Sequence, residues 1–237
     1  VPVRPAYHPG LFYENQWINN SYAPSFQYAH ILAGISRSIR LSQKEDIQIE
    51  FTASLIAPLY VCHVLRILEQ AKKNGIQNLF FLARDGYILY LIAQRFQSLY
   101  PDIKFEYIYV SRKSLYLPGI FKIEHVDLYS LLTPENGQTI KEVLDRLSID
   151  FSKIADNDFL EIELNETNKE LLYDFLKKEE VINYIEHEAN VARKLLIEYF
   201  VQVGLASKND RNAIVDLRGT RTSHEMINNI LTHFEYL

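Results

Sequence analysis

Arginine, aspartate and hydroxyl side chains are concentrated in three short segments, each of which follows an apolar run. The segments are Ala83–Tyr87 (ARDGY), residues 109–119 (YVSRKSLYLPG) and residues 216–223 (DLRGTRTS). Arginine forks, hydroxyls and the backbone amides of a glycine-containing loop are the groups that bind a phosphate monoester. The residue types therefore indicate anion binding.

The segment 216–223 exceeds what a helix cap requires. It follows the apolar residues 213–215 and places two arginines, one glycine and three hydroxyl side chains within eight positions. A helix N-terminus needs only one side-chain oxygen as its cap. The segment therefore predicts a phosphate-binding loop. Its candidate ligands are Arg218, Gly219, Thr220, Arg221, Thr222 and Ser223.

The segment Arg84–Gly86 allows two interpretations. In the first, Asp85 caps the helix that follows and Gly86 permits the turn. In the second, the segment is one wall of an anion pocket. Arg112 and Lys113 follow another apolar run, and such a pair is usually solvated surface. Because all three polar segments follow predicted strands, we expect them at one edge of the same sheet, which favours the pocket.

A βαβ unit is predicted to position the first two segments. The apolar run 78–83 (NLFFLA) is typical of a buried parallel strand. Residues 87–100 repeat apolar side chains at helical spacing, and residues 105–112 are rich in β-forming side chains. Strand, helix and strand in this order predict a parallel sheet. Ligands of such sheets gather at the carboxyl ends of the strands, where helix N-termini offer unpaired amides.

Further helices and one more strand are predicted outside this unit. Helical periodicity covers residues 26–41, where three isoleucines share one face, and residues 51–74. The second of these patterns ends at Asn74-Gly75, a C-cap signature. A third strand is expected over 212–217, followed by a helix over 224–234.

A mainly helical insertion, from about residue 120 to 205, is predicted between the second and third strands. The segments Thr139–Glu142 and Thr167–Glu170 both match the capping box of a helix start. Residues 181–203 form a long amphipathic pattern closed by Gly204. The predicted fold class is α/β, with a mostly parallel sheet, flanking helices and this insertion.

The expected domain organisation is an N-terminal arm and helix (residues 1–50) followed by an α/β domain (residues 51–237). The net charge of −5 argues against sequence-independent nucleic-acid binding. The single cysteine, Cys62, provides no disulfide framework and favours a reducing compartment. No signal-peptide pattern or bilayer-spanning apolar stretch is evident. Because the first residue is Val1, we expect a piece of a longer protein.

The motifs resemble known families. FFLARDGYIL (80–89), YIYVSRKSLYLP (107–118) and IVDLRGT (214–220) are similar to the region that follows a haloacid-dehalogenase-type phosphatase domain in bacterial polysaccharide-biosynthesis proteins. The arrangement also resembles a divergent type I phosphoribosyltransferase. In that family, one loop binds the pyrophosphate of phosphoribosyl pyrophosphate, and an acidic loop rich in Thr and Gly holds the ribose and its 5-phosphate. The resemblance covers about residues 50–120 and 210–230.

The resemblance implies a glycan-directed phosphoribosyltransferase of surface polysaccharide biosynthesis. Its donor would be phosphoribosyl pyrophosphate, accompanied by Mg²⁺, and its acceptor a sugar hydroxyl. Asp216 would bind the ribose hydroxyls, Gly219–Ser223 the 5-phosphate and Arg84–Gly86 the pyrophosphate. Arg112-Lys113 would stabilise the departing pyrophosphate, and Asp85 would assist the attacking hydroxyl. Asp85 and Asp216 are thus the expected catalytic residues.

The resemblance also implies an upstream phosphatase domain, in the same chain or in a partner, that removes the 5-phosphate. The resemblance further implies a cytoplasmic location, with any association with the inner membrane made through partner proteins. Two alternatives remain open. One is a haloacid-dehalogenase-type phosphatase with Asp85 as nucleophile, although that chemistry usually requires Asp-x-Asp and position 87 is Tyr. The other is a non-catalytic module that binds a sugar phosphate or docks the domains of a larger synthase, which Leu217 in place of a second acid favours.

Overall fold

The computed structural model describes residues 15–16, 29–42, 47–123, 128, 132–135, 137–217 and 222–236. The chain divides into two compact units. The first comprises residues 1–74 with 91–100, and the second comprises residues 75–90 with 101–237. All described candidate site residues belong to the second unit. The domain boundary expected between residues 50 and 51 stays a prediction.

Helices build the described part of the first unit. Their bounds are α1 (Ala29–Ser42), α2 (Ile47–Phe51), a π-helical turn (Thr52–Ile56) and α3 (Ala57–Lys73). The hydroxyl of Ser36 is buried and donates a 2.9 Å hydrogen bond to the carbonyl oxygen of Ala53, which ties α1 to the π-helical turn. Gly75 follows α3 with a φ of +64°, so the predicted C-cap is confirmed.

The second unit contains the strands. Helix α4 (Asp85–Arg95) begins in this unit, and its residues from Leu91 onward belong to the first unit, as does the 3₁₀ turn Gln97–Leu99. The other elements of the second unit are β1 (Asn78–Leu82), β2 (Lys104–Ile108), α5 (Arg112–Tyr116), α6 (Ile140–Leu144), 3₁₀ turns at Asp145–Leu147 and Phe151–Lys153, α7 (Asn157–Leu160), α8 (Glu170–Leu176), α9 (Glu179–Val203), β3 (Asn212–Val215) and α10 (Thr222–His233). These bounds place α4 between β1 and β2, as the βαβ pattern predicts.

The sheet has three strands in the order β2-β1-β3, and both pairings are parallel. Residues Leu79–Leu82 of the central strand are all buried, which is why that strand reads as a continuous apolar run. The predicted α/β class with a parallel sheet is therefore confirmed. Helix α4 and the 3₁₀ turn after it replace the single helix expected over 87–100.

Two predicted strands are shorter than expected at their carboxyl ends. The β2 strand stops at Ile108, because the amide of Val110 turns back to donate to the Ile108 carbonyl oxygen at 2.9 Å. Ser111 is then the N-cap of α5, so the predicted strand over 105–112 was wrong in its last residues. The β3 strand likewise ends at Val215, where its pairing with β1 ends.

The predicted insertion is mainly helical in its described residues, with α6–α9 packed around one hydrophobic cluster. The capping box at Thr139 and Glu142 is confirmed. The one predicted at Thr167 and Glu170 is wrong, because the Asn165 side chain accepts hydrogen bonds in this segment. Its carboxamide oxygen accepts from the amide (2.8 Å) and the hydroxyl (2.6 Å) of Thr167.

Helix α9 connects this cluster to a second one, which is formed by the sheet, α5 and α10. Arg193 of α9 is only 4% exposed. Its guanidinium donates to the carbonyl oxygens of Pro118 (2.8 Å) and Ile120, and it lies over the ring of Phe121 at 4.1 Å. Burial lowers the pKa of Arg193. Arg193 thus ties α9 to the chain that leaves α5.

None of the helices in the described ranges combines the length and the apolar character that crossing a membrane requires.

Candidate functional site

The carboxyl ends of all three strands lie at one edge of the sheet. In the two parallel pairings, Leu82 of β1 is level with Ile108 of β2, and Phe81 of β1 is level with Val215 of β3. The three segments that follow the strands therefore leave the sheet side by side. This edge is where open α/β sheets place their ligands.

The three segments line a common cavity of about 30 Å³, which we call the sheet-edge cavity. Its lining residues are Leu82, Ala83, Arg84, Asp85, Val110, Ser111, Arg112, Asp216 and Ser223. Two arginines, two aspartates and two serines thus border the same cavity. A cavity of this volume has room for about two water molecules, since about 10–15 Å³ of this space accommodates one. The side chains of Arg84, Asp85 and Arg112 are exposed, so the cavity borders on solvent.

Arg84 has the left-handed backbone conformation, with a φ of +68°. This conformation is unfavourable for a residue with a side chain and clusters at functional sites. Two hydrogen bonds hold it. The Arg84 amide donates to the phenol oxygen of Tyr107 at 3.1 Å, and the Tyr87 amide donates to the Arg84 carbonyl oxygen at 3.1 Å. The direction in which the Arg84 side chain leaves the backbone is therefore fixed by β2 and by α4.

The structure differs from the interpretation in which Asp85 caps the helix and Gly86 permits the turn. Helix α4 begins at Asp85 itself, so Asp85 lies in the first helical turn and Arg84 precedes the helix. A carboxylate in this place is stabilised by the helix dipole. Gly86 has no positive φ. A Cβ at Gly86 would lie 3.3 Å from the carbonyl carbon of Phe81, so this glycine lets α4 approach β1 closely.

The second segment, SRKS, is a capped helix start. Ser111 accepts a hydrogen bond from the amide of Ser114, whose hydroxyl in turn accepts from the amide of Ser111 at 2.9 Å. This capping box sets Arg112 and Lys113 in the first turn of α5, and the two residues line different cavities. Arg112 lines the sheet-edge cavity, whereas Lys113 lines a separate groove. The pair expected to act together is thus divided between two cavities.

The third segment contributes Asp216 and Ser223. Asp216 is half-buried directly after β3, and Ser223 is the second residue of α10. Ser223 is only 5% exposed, and no partner for its hydroxyl is found in the described part of the chain. Thr222 begins α10 but does not line the cavity. The predicted ligands Arg218, Gly219, Thr220 and Arg221 lie outside the described residues.

Two contributors were not among the predicted site residues. The Ser111 side chain lines the cavity while serving as the N-cap of α5. Tyr107 supports Arg84 from β2, and its ring contacts those of Tyr87 and Tyr109, each at 5.3 Å between centroids. The run of serines around Arg112 is a sequence signal for the first. A tyrosine in a strand carries no such signal, since its role depends on the turn beside it.

The residues of the cavity fit a magnesium ion that arrives with a phosphorylated ligand. Within the described ranges, no group of three or more His, Cys, Asp and Glu side chains is placed to hold a metal ion. Asp85 and Asp216 nevertheless share the cavity. Mg²⁺ is usually bound by one or two carboxylates together with substrate phosphates, so these two suit it.

Comparison with known proteins adds no family assignment. No protein-family model matches the chain, and no curated protein matches it. The function proposed below therefore rests on the residues of the sheet-edge cavity and on the motifs of the sequence.

Proposed function

We propose that the chain is a glycan-directed phosphoribosyltransferase of polysaccharide biosynthesis whose donor, phosphoribosyl pyrophosphate, binds at the sheet-edge cavity. The observation that carries the proposal is the meeting of Arg84, Arg112, Asp216 and Ser223 at the carboxyl ends of the three strands. The donor has two anionic ends and a ribose with two hydroxyls between them. Arginines and a buried hydroxyl suit the anionic ends, and a carboxylate suits the ribose hydroxyls.

Each residue has a role that follows from its chemistry and place. Arg84 and Arg112 bind the pyrophosphate, because guanidinium forks donate two parallel hydrogen bonds to phosphate oxygens. Asp216 accepts hydrogen bonds from the ribose hydroxyls. Ser223 and the N-terminus of α10 bind the 5-phosphate, since the first amides of a helix are unpaired and carry partial positive charge. Gly219, Thr220 and the neighbouring residues of the loop complete this phosphate site.

The transfer forms one glycosidic bond, breaks one bond to pyrophosphate and moves one proton. An acceptor hydroxyl attacks C1 of the ribose, the bond between C1 and the pyrophosphate oxygen breaks, and the electron pair leaves with pyrophosphate. Arg84 and Arg112 stabilise the charge that develops on this leaving group. Asp85, at the same cavity, takes the proton of the acceptor hydroxyl. The products are the ribosyl 5-phosphate glycan and pyrophosphate.

A magnesium ion held by Asp216 and the phosphates of the donor would supply charge neutralisation for the pyrophosphate and would leave Asp85 free to act as the base. The cavity must also open to admit a donor much larger than a water molecule. Arg84, Asp85 and Arg112 line the cavity and are exposed, so their side chains can reorient without disturbing a core. Binding is therefore expected to reorient these side chains around the fixed ends of the strands.

The test is calorimetric titration of the chain with phosphoribosyl pyrophosphate, with and without Mg²⁺. We expect a heat of binding that is lost in Asp216→Asn and kept in Asp158→Asn, an exposed aspartate of α7 outside the cavity. Circular dichroism establishes that both variants are folded. A folded wild-type chain without a heat of binding overturns the donor assignment.

The non-catalytic alternative keeps one observation in its favour, since Leu217 stands where a second loop carboxylate is expected in the family. It predicts donor binding without release of pyrophosphate. The phosphatase alternative would show as turnover of a generic phosphate ester that disappears in Asp85→Asn. The exposed Tyr87, whose ring lies against Tyr107, occupies the place of the second acid that such chemistry usually requires.

A further inference from the structure

A groove of about 590 Å³ lies next to the sheet-edge cavity, within the second unit. It runs between the chain around α5, the end of the 3₁₀ turn Asp145–Leu147 and the middle of α9. Its lining residues are Ser111, Lys113, Ser114, Leu117, Pro118, Leu147, Ser148, Ala192, Leu195, Leu196 and Tyr199. A volume of this size is typical of sites that bind small organic ligands. We call it the leucine groove.

The lining of the leucine groove is apolar with few polar groups that can serve a ligand. The hydroxyls of Ser111 and Ser114 are already engaged in the capping box of α5. Tyr199 accepts a hydrogen bond from the amide of Tyr109 at 2.9 Å, which leaves its O–H free to donate. Lys113 is exposed at the groove, and no ion pair of its ammonium occurs among the described residues.

The leucine groove and the sheet-edge cavity meet at Ser111, which lines both. The next two residues separate them, since Arg112 belongs to the cavity and Lys113 to the groove. A ligand in the groove therefore has one end a single residue away from the proposed donor site. Of the four leucines at the groove, Leu195 and Leu196 of α9 keep accessible surface, so an alkyl or aryl group lying there would be removed from water.

We infer that the leucine groove binds the acceptor, and that this acceptor is amphipathic, with an alkyl or aryl group joined to its sugar. The naming of the ligand as an acceptor rests on the proposed function. The apolar group lies along Leu195 and Leu196, and an anionic group of the same molecule, such as a phosphate ester, faces Lys113. The sugar hydroxyl that reacts lies towards Ser111.

The first test is calorimetric titration of the chain with octyl phosphate below its micelle concentration. The wild type is expected to bind it, and Leu195→Asp is expected to weaken binding at least tenfold. Val201→Asp is the matched control, because Val201 is on the same helix, is 50% exposed against 62% for Leu195, and lies outside the groove. Equal affinities in the two variants, or no binding by the wild type, overturn the inference.

The second test concerns Lys113. Lys113→Gln is expected to weaken the binding of octyl phosphate several-fold and to leave the binding of uncharged octyl glucoside unchanged. Both ligands share the alkyl chain, so the comparison isolates the contribution of charge. Unchanged binding of octyl phosphate by Lys113→Gln contradicts the proposed contact between the anionic group and Lys113.

The third test separates the groove from the proposed function. With phosphoribosyl pyrophosphate as donor, kcat/KM for octyl glucoside should exceed that for methyl glucoside at least tenfold, and Leu195→Asp should reduce the ratio to near one. A ratio near one in the wild type, or turnover of neither glycoside, overturns the acceptor assignment while donor binding stands. Failure of donor binding concerns the proposed function alone, since the octyl phosphate titration still decides whether the groove takes an amphipathic ligand.

Discussion

The amide of Arg84 donates a 3.1 Å hydrogen bond to the phenol oxygen of Tyr107, so a residue in β2 holds the strained turn that follows β1. Strain of this kind persists only where the surroundings impose it. Here the strained residue is an arginine that lines the cavity at the ends of the three strands.

Replacing Arg84 with glycine should stabilise the fold and remove donor binding. Glycine adopts a positive φ without the steric penalty of a side chain, and the gain exceeds its larger entropy loss, for a net effect of about 0.5–1 kcal/mol. Urea unfolding measures the first effect and titration with phosphoribosyl pyrophosphate the second. Arg95→Gly in the last turn of α4 is the control and should instead destabilise by about 0.5–1 kcal/mol. A less stable Arg84→Gly variant contradicts the prediction.

Tyr107→Phe should reduce both stability and donor affinity. The variant retains the ring contacts with Tyr87 and Tyr109 but loses the acceptor for the Arg84 amide, so a loss of about 1 kcal/mol is expected. Because Arg84 is then less well positioned, donor affinity should fall several-fold. Chemical unfolding and calorimetry measure the two effects. Tyr116→Phe, which removes a phenol oxygen outside the cavity, should change neither.

Ser223→Ala should separate binding from stability. The buried hydroxyl has no partner in the described part of the chain, so its removal should leave the unfolding free energy unchanged or higher. Loss of a hydrogen bond to a phosphate oxygen should weaken donor binding about tenfold, which corresponds to about 1.4 kcal/mol. Ser98→Ala, at an exposed serine of a 3₁₀ turn, is the control. A marked loss of stability in Ser223→Ala would show that its role is in packing.

Arg193→Met should destabilise the second unit by about 2 kcal/mol or more. The variant keeps the volume of the side chain but leaves the carbonyl oxygens of Pro118 and Ile120 without their charged donor. The next residue, Lys194, is exposed, and Lys194→Met should stay within about 0.5 kcal/mol of the wild type. Urea unfolding of the two variants measures the difference. Equal stabilities would mean that the ring of Phe121 and the surrounding apolar contacts suffice.

The first unit should lose stability at alkaline pH through Tyr100. Burial, with a hydrogen bond from its phenol to Glu69, raises the pKa of Tyr100 from 10.0 to about 12. The folded state therefore favours the protonated phenol, and this stabilisation is complete below pH 10 and is lost between pH 10 and 12. The difference in unfolding free energy between the wild type and Tyr100→Phe, measured from pH 8 to 12, should shrink across that interval. A constant difference contradicts the prediction.

Local signals predicted the parts of the fold that depend on a few neighbouring residues. Three features could be predicted because each arises within one turn or one strand. They are the buried run ending at Leu82, the glycines that end α3 and α9, and the capping box at Thr139. The local predictions failed where a neighbouring residue makes a hydrogen bond that replaces the expected one. Asn165 takes over the role expected of Thr167, and a tight turn after Ile108 shortens β2.

The geometry of the cavity could be predicted only in part. Parallel strands imply that their polar ends share an edge, which is how Arg84 and Asp216 were connected from sequence. That Arg112 and Lys113 line different cavities depends on the first turn of α5. The residue with the positive φ in the turn after β1 is Arg84 and not Gly86. The leucine groove has no sequence signature, since its walls come from helices far apart in the chain.

The strand order β2-β1-β3 also affects the order in which the strands pair during folding. Asn78 of β1 donates a 2.8 Å hydrogen bond to Asn212 of β3 across 134 residues, about five times the span that joins Asn78 to Lys104 of β2. Closing the longer loop costs about 1.4 kcal/mol more in chain entropy. The β1–β2 pair is therefore expected to form first during folding, and the final strand to join afterwards. The residues that would bind the donor come together only when the segment that begins with β3 has docked.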